Sequence, residues 1–290
     1  MLEKLKHYVW PANPLDGRFV ARLKRGAIHY GQINSWWPLP PLQRWIRQHR
    51  FQFQYAQNGN AVHLKVSGAD ITHLWVAEEV LVERVYQLDA VPFTPDLVLD
   101  LGANIGLFTL LAARRWPQAS FVCVEPHPTT FSFLCDNLAL NGVNAVKLQC
   151  ALDSEVGVKF LANEGAVFQT LSEKVTATPV MTLQLDSLLP TQRDLKLLIK
   201  MDIEGSEVPV LDHLCAFLPE ETFIFVELHH GEESLRWIHN WSAENSFEFH
   251  GARRREDAID GYLKRGVEAI ATQSTPRASF VSAELYESEV

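Results

Sequence analysis

Lys200, Asp202 and Glu204 stand at alternate positions in "IKMDIEGSE" (199–207), and Glu227, His229 and His230 crowd into "VELHH" (226–230). Each group closes an apolar run, so each falls at or just past the end of a buried strand. Carboxylates, an ammonium and an imidazole in such a place can move a proton or hold a cation. A histidine titrates nearest neutral pH, so His229 is the first choice for a general base and Asp202 the next; Asp202 could instead position a ligand. Charged groups at the end of a buried strand are costly unless satisfied, which favours a functional site. The plainer reading has Lys200 and Glu204, on one face if strand geometry continues, pairing with each other or with neighbours. In it Glu207 supports the first turn of its helix and His230 is a solvated loop residue. The sharper reading is a metal: Asp202, Glu204, Glu227 and His229 could hold Mg2+.

A second constellation, "LVLDLGANIG" (97–106), runs four apolar residues into Asp100 and then opens a glycine-bracketed turn. Such a turn suggests a ligand close to the backbone. A dinucleotide requires G-x-G-x-x-G, but counting from Gly102 the second and third positions are Asn104 and Leu107. Asp100 would also place negative charge beside a pyrophosphate. S-adenosylmethionine has no phosphate and carries an ammonium and a sulfonium, so a carboxylate there is favourable. The amides opening the following helix could receive its carboxylate. Glu125, at the end of the next strand, could accept from both ribose hydroxyls. An NAD site would use an acid there too, so Glu125 does not discriminate; Asp100 and the missing glycines do.

Behind these residues lie alternating strands and helices from about residue 78. "EEVLVERVYQL" reads as an amphipathic helix, 97–101 as a strand, about 105–114 as a helix, "SFVCVE" as a strand and "PTTFSFLCDNLALN" as a helix stopping at Asn141-Gly142. "AVKLQCAL" reads as a third strand, "VGVKFLA" and "KVTATPVMTLQL" as two more. "LKLLIKMDIEG" and "TFIFVELHH" are buried strands, each followed by a helix. Strands apolar throughout and alternating with helices argue for a parallel sheet covered on both faces. Asp100, Glu125, Asp202, Glu227 and His229 then share the edge where open α/β sheets bind ligands. Residues 1–75 differ in texture. They hold Trp10, Trp36, Trp37, Trp45 and Trp75, a rigid "WWPLPP", and a hairpin signal in which Phe51, Phe53 and Tyr55 alternate, Asn58-Gly59 turns, and Val62, Leu64 and Val66 alternate again. These tryptophans could stack on a sugar, fill a core, cover the cofactor edge or form a homodimer contact. The expected division is an accessory segment 1–75, a catalytic domain 76–250, and a sheet completion and tail 251–290.

The 290-residue chain is 47% hydrophobic and 21% charged, as in ordinary globular proteins. It has no apolar run long enough to span a bilayer and no secretory signal in "MLEKLKHYVWPANP", so a cytoplasmic location is expected. Four scattered cysteines, Cys123, Cys135, Cys150 and Cys215, show no metal-like spacing. A net charge of −9 lacks the basic footprint of nucleic-acid binding, and "ARRRED" (252–257) reads as a solvated loop, with anionic-substrate contact as its alternative.

"VLDLGANIG", "VEPHP", "NLALNG", "CALDSEVG" and above all "IKMDIEGSE" together resemble the FkbM-type methyltransferases, over roughly residues 95–230. That resemblance implies a class I (Rossmann-like), doubly wound, mostly parallel seven-stranded α/β sheet whose last strand is antiparallel. It implies S-adenosylmethionine as cofactor and O-methylation of a sugar, glycan or secondary metabolite. Asp100, Gly102, Ala103, Asn104 and Gly106 would line the methionine end of the cofactor and Glu125 its ribose. Pro126 and His127 would border the adenosine and Asp153 would reach the adenine amine. His229, Asp202, Lys200 and Glu204 would be the catalytic candidates. The alternatives are an NAD-dependent oxidoreductase and a non-catalytic ligand-binding protein on the same fold. The Asn/Asp-Pro-Pro-aromatic turn typical of nucleic-acid amine methylation is absent after the fourth strand.

Overall fold

A computed structural model describes residues 50–57, 60–67, 70, 72–161, 171–172, 178–189, 194–254 and 258–266. The Asn58-Gly59 turn, Trp10, Trp36, Trp37 and Trp45, the side chains of Trp75 and of the arginines at 253–255, and the tail past 266 lie outside the described residues. Two compact units divide the chain, the second running from Tyr86 to Gln273.

In the first unit the alternation of "FQFQYAQ" and "NAVHLKV" produces an antiparallel hairpin of β1 (Arg50–Gln57) and β2 (Asn60–Ser67). Val62, Leu64 and Val66 lie on its buried face. Helix α1 (Thr72–Ala77) continues as a π-helical turn, Glu78–Glu83, and stops at Arg84 in the left-handed region. The helix expected over "EEVLVERVYQL" therefore begins earlier and ends sooner. Its start is set by Asp70, whose Oδ1 accepts from Thr72 N and Oγ1, an Asx cap that outweighs the acids at Glu78 and Glu79.

The second unit holds β3 (Leu97–Leu101), α2 (Leu107–Arg115), β4 (Ser120–Val124), α3 (Pro128–Leu140) and β5 (Val146–Leu148). After an excursion come β10 (Leu197–Met201), α4 (Glu207–Leu214), β11 (Thr222–His229), α5 (Gly231–Glu244), β12 (Glu248–Arg254) and β13 (Ala258–Arg265). The sheet order is β12-β13-β11-β10-β3-β4-β5, parallel except for β13, which runs antiparallel to both its neighbours. This is the seven-stranded, doubly wound sheet with an antiparallel last strand. Its central strands β3, β4, β10 and β11 are largely apolar because both faces are covered. Val98, Leu198, Phe223 and Phe225 pack with Phe108 and Ala112 of α2 and with Trp116, which caps it, on one face. Leu99, Leu101, Ile199, Met201, Val226 and Leu228 pack with Val210 and Leu211 of α4 and Ile238 and Trp241 of α5 on the other. Asp100 and Lys200, register partners across β3 and β10, are the last residues of the α2-side row before the strands end.

Two segments differ from expectation. "AVKLQCAL" is not one strand: β5 ends at Leu148, Cys150 turns into the main core, and β6 (Ala151–Leu152) joins another sheet. That sheet has the order β6-β9-β7-β8, with β7 (Gly157–Leu161), β8 (Leu171–Ser172) and β9 (Thr178–Leu183). Arg253 and Arg254 lie in β12, paired with Asp260 and Ile259 of β13, rather than in a solvated loop. Among the described residues, no helix is long and apolar enough to cross a membrane.

Candidate active site

The turn after β3 is built from the backbone outward. Gly102 has φ +72°, and a Cβ there would lie 1.8 Å from the carbonyl oxygen of Asp202. On the Cβ side of this glycine the backbone of Asp202, just past β10, comes into close approach. The amides of Gly102 and Ala103 donate to Val124 O, and Gly106 N donates to Ala103 O. Asn104 N donates to Glu125 Oε2 and Ile105 N to Asn104 Oδ1. All five amides from 102 to 106 are thus engaged within the chain.

Two buried carboxylates flank the turn. Asp100 Oδ2 accepts from Thr109 N (3.2 Å) and Thr109 Oγ1 (2.6 Å), tying α2 to β3. Its Oδ1 has no hydrogen-bond partner among the described residues and lies 3.8 Å from Lys200 Nζ. Burial raises the Asp100 pKa against the opposing pull of Lys200 and Thr109. Glu125 takes Asn104 N on one oxygen and His127 N on the other. Burial nevertheless pushes its pKa up to about 7. Pro126 and His127 lead into α3, where His127 Nδ1 caps the helix by accepting from Thr130 N. Asp153 is held by Ser154 and by an ion pair with Lys159. Burial alone would raise its pKa, but these partners hold it below the usual carboxylate range.

The second cluster gathers residues from three elements. Lys200 Nζ donates to the carbonyls of Leu101 and Gly102 and sits 3.5 Å from Asp202. Burial would lower its pKa, but Asp202 and Asp100 outweigh that and raise it. Lys200 is thus a fixed cation that ties β10 to the glycine turn, and it does not pair with Glu204. Strand geometry stops at Met201: Glu204 has φ +55° and Gly205 φ +99°, and the turn swings Glu204 to His229 Nε2 at 3.2 Å. A Cβ at Gly205 would come within 2.8 Å of His230 Nε2, so His230 packs against this turn. His229 Nδ1 lies 3.0 Å from Glu207 Oε1, and Nε2 lies 3.6 Å from Glu227. Burial opposes the charged imidazole, yet hydrogen bonds to Glu204 and Glu207 push its pKa up to about 11. Burial in turn raises Glu204, against its bond to His229. His229 therefore carries a proton at neutral pH in this arrangement, unlike the neutral base its ordinary range suggests. Asp202, Glu227 and His229 each offer a ligand atom within 4.8 Å of one another, three of the four residues expected around a cation.

Two members escaped sequence reasoning. Glu207 does more than start α4: it is 1% exposed and accepts from Ile203 N, Gly205 N and His229. The signal was its place at the end of "IKMDIEGSE". Tyr86 packs edge-on against Phe108 and Phe225. Burial and the carboxylates of Asp202, Glu227 and Asp100 push its phenol well above the ordinary range. Nothing in "ERVYQL" marks it.

A family model described as the methyltransferase FkbM domain matches residues 100–256, just over half of the chain. The chain is similar to the methyltransferase sdnD of Sordaria araneosa, 40% identical over 85 residues, covering 29% of this chain and 32% of that protein. It is 34% identical over 100 residues to the 31-O-demethyl-FK506 methyltransferase FkbM of Streptomyces tacrolimicus, covering 32% and 38%. With the hexuronic acid methyltransferase AglP of Haloferax volcanii it shares 29% over 141 residues, covering 47% and 57%. The chain thus spans about a third to three fifths of the length of these relatives.

Proposed function

The chain belongs to the FkbM methyltransferase domain family, and from that premise we propose that it is an S-adenosylmethionine-dependent O-methyltransferase acting on a sugar, glycan or secondary-metabolite hydroxyl. The observation that carries the choice of cofactor is the engagement of all five turn amides within the chain. A pyrophosphate would need those amides. A cofactor with an ammonium and ribose hydroxyls instead needs carboxylates, and two buried ones fit it. Asp100 keeps one buried oxygen that has no hydrogen-bond partner among the described residues, and burial holds Glu125 near its protonated form until further donors reach it. Bound S-adenosylmethionine supplies an electrophilic methyl group on a cationic sulfur. Asp100 would hold its methionine end and Glu125 its ribose, while Pro126 and His127 would border the adenosine and Asp153 would reach the adenine amine.

The chain's own chemistry is to take a proton from the acceptor hydroxyl. Glu204 and His229, 3.2 Å apart, act as one proton-accepting pair, and Asp202 and Lys200 keep the neighbouring strand end in place. Two relatives are named for 31-O-demethyl-FK506 and for hexuronic acid, which makes these two compounds the first acceptors to try. A divalent cation is the second reading, favoured by the convergence of Asp202, Glu227 and His229. Turnover unchanged by EDTA, and by Mg2+ or Mn2+ added back, would remove it.

The test begins with calorimetry against S-adenosylhomocysteine and, separately, NAD. Micromolar binding of the first alone supports the reading, and binding of NAD alone overturns it. Cofactor binding without turnover on any acceptor favours the non-catalytic alternative. Given an acceptor, His229→Ala and Glu204→Gln should each lower turnover on the order of 10²-fold or more, with S-adenosylhomocysteine affinity near wild type. Retained turnover in both would pass the role to Asp202 or a cation.

A further inference from the structure

Glu207 opens α4, yet its carboxylate does not serve the helix it begins. Oε1 accepts from Ile203 N at 3.0 Å and from Gly205 N at 3.1 Å, both in the preceding turn, and Oε2 accepts from Gly205 N at 3.1 Å. The same Oε1 lies 3.0 Å from His229 Nδ1 on β11. An ionised carboxylate only accepts, so Nδ1 must be the donor of that bond. Nε2, on the far side of the ring, is thereby turned toward Glu204 at 3.2 Å and Glu227 at 3.6 Å.

We infer that Glu207 is a positioning residue that sets both halves of the proton-accepting pair: it fixes the ring and the Nδ1 proton of His229, and through Ile203 and Gly205 it fixes the left-handed turn that carries Glu204. The consequence for methyl transfer rests on the proposed function; the placement does not. A buried carboxylate that served only to satisfy two turn amides would be replaceable by a neutral acceptor without changing the imidazole. A carboxylate that orients a histidine from behind acts on which nitrogen holds the proton and how firmly.

The variants that separate these roles are Glu207→Gln, which keeps an acceptor without the charge, and Glu207→Leu, which removes both. The readout is the side-chain 1H–15N spectrum of His229 in the free protein at one pH, assigned with His229→Gln. In the wild type Nδ1 holds its proton against Glu207. In Glu207→Gln Nδ1 keeps its proton, but that proton resonates further upfield and exchanges faster, because a neutral oxygen accepts more weakly than a carboxylate. In Glu207→Leu the neutral ring carries its proton on Nε2. An identical Nδ1 proton shift and exchange rate in the wild type and the Gln variant overturn the inference, and this comparison decides alone if the Leu variant does not fold. Loss of S-adenosylhomocysteine binding by the wild type would remove the methyl-transfer reading while leaving this comparison standing.

Discussion

At the scale of single residues, the glycine turn spends its backbone donors internally and is flanked by two buried carboxylates, Asp100 and Glu125. For Glu125 the consequence is a ligand affinity that depends on pH. Its pKa lies near 7 without a ligand, and ribose hydroxyls can donate only to acceptor oxygens. S-adenosylhomocysteine should therefore bind the ionised form better and weaken as pH falls from 8 to 5.5; a calorimetric pH series checks this, and Glu125→Gln should flatten it. Gly102 makes a second prediction. A Cβ 1.8 Å from Asp202 O cannot be accommodated without moving β10, and φ +72° adds strain for any L side chain. Gly102→Ala should destabilise by about 2–4 kcal/mol in urea unfolding. Sequence reasoning located this turn and both carboxylates, but not the close passage of Asp202 against Gly102. A one-dimensional pattern shows that backbone must pass close by, not which backbone passes.

Among elements, legibility followed local chemistry. β3, β4, β10 and β11 were visible as apolar runs because each is buried on both faces, and their C-terminal edge follows from parallel topology. The split of β5 from β6 at Gln149-Cys150 was not visible, since Cys150 and Leu152 remain buried after leaving the sheet and the apolar pattern continues unbroken. β12 was hidden because an outer strand tolerates charged residues such as those of "GARR" (251–254). The turn after β10 was missed for another reason: extrapolating strand geometry paired Lys200 with Glu204, whereas the left-handed conformation at Glu204 and Gly205 sends them to different partners. The link between α2 and β3 rests on Thr109, whose hydroxyl bonds Asp100 at 2.6 Å inside the core. Thr109→Val should cost about 1–3 kcal/mol, because it keeps the volume and leaves a buried carboxylate short of a donor. A smaller loss in thermal or urea melts would mean that Lys200 or a water compensates.

For the whole molecule, the buried groups at this one edge set how stability responds to pH. Glu125 titrates near 7 folded and near 4.5 unfolded. Between those values the folded state holds a proton that the unfolded state has lost, so stability falls as pH rises through that window, on the order of 3 kcal/mol. His229 acts in the same direction at higher pH. Its folded pKa near 11 lies above the ordinary 6.5, so its contribution is complete below about 6.5 and is lost as pH rises toward 11. Asp153 acts oppositely, because its lowered pKa makes its contribution present at neutral pH and lost on acidification. The summed expectation is greatest stability on the acid side of neutrality, declining steadily from pH 6 to 10, and melts across that range check it. Saturating S-adenosylhomocysteine should reduce the decline between pH 6 and 8, since donors to Glu125 lower its folded pKa and ligand binding adds stability by mass action. Parallel melting curves with and without ligand would place the ribose elsewhere than on Glu125.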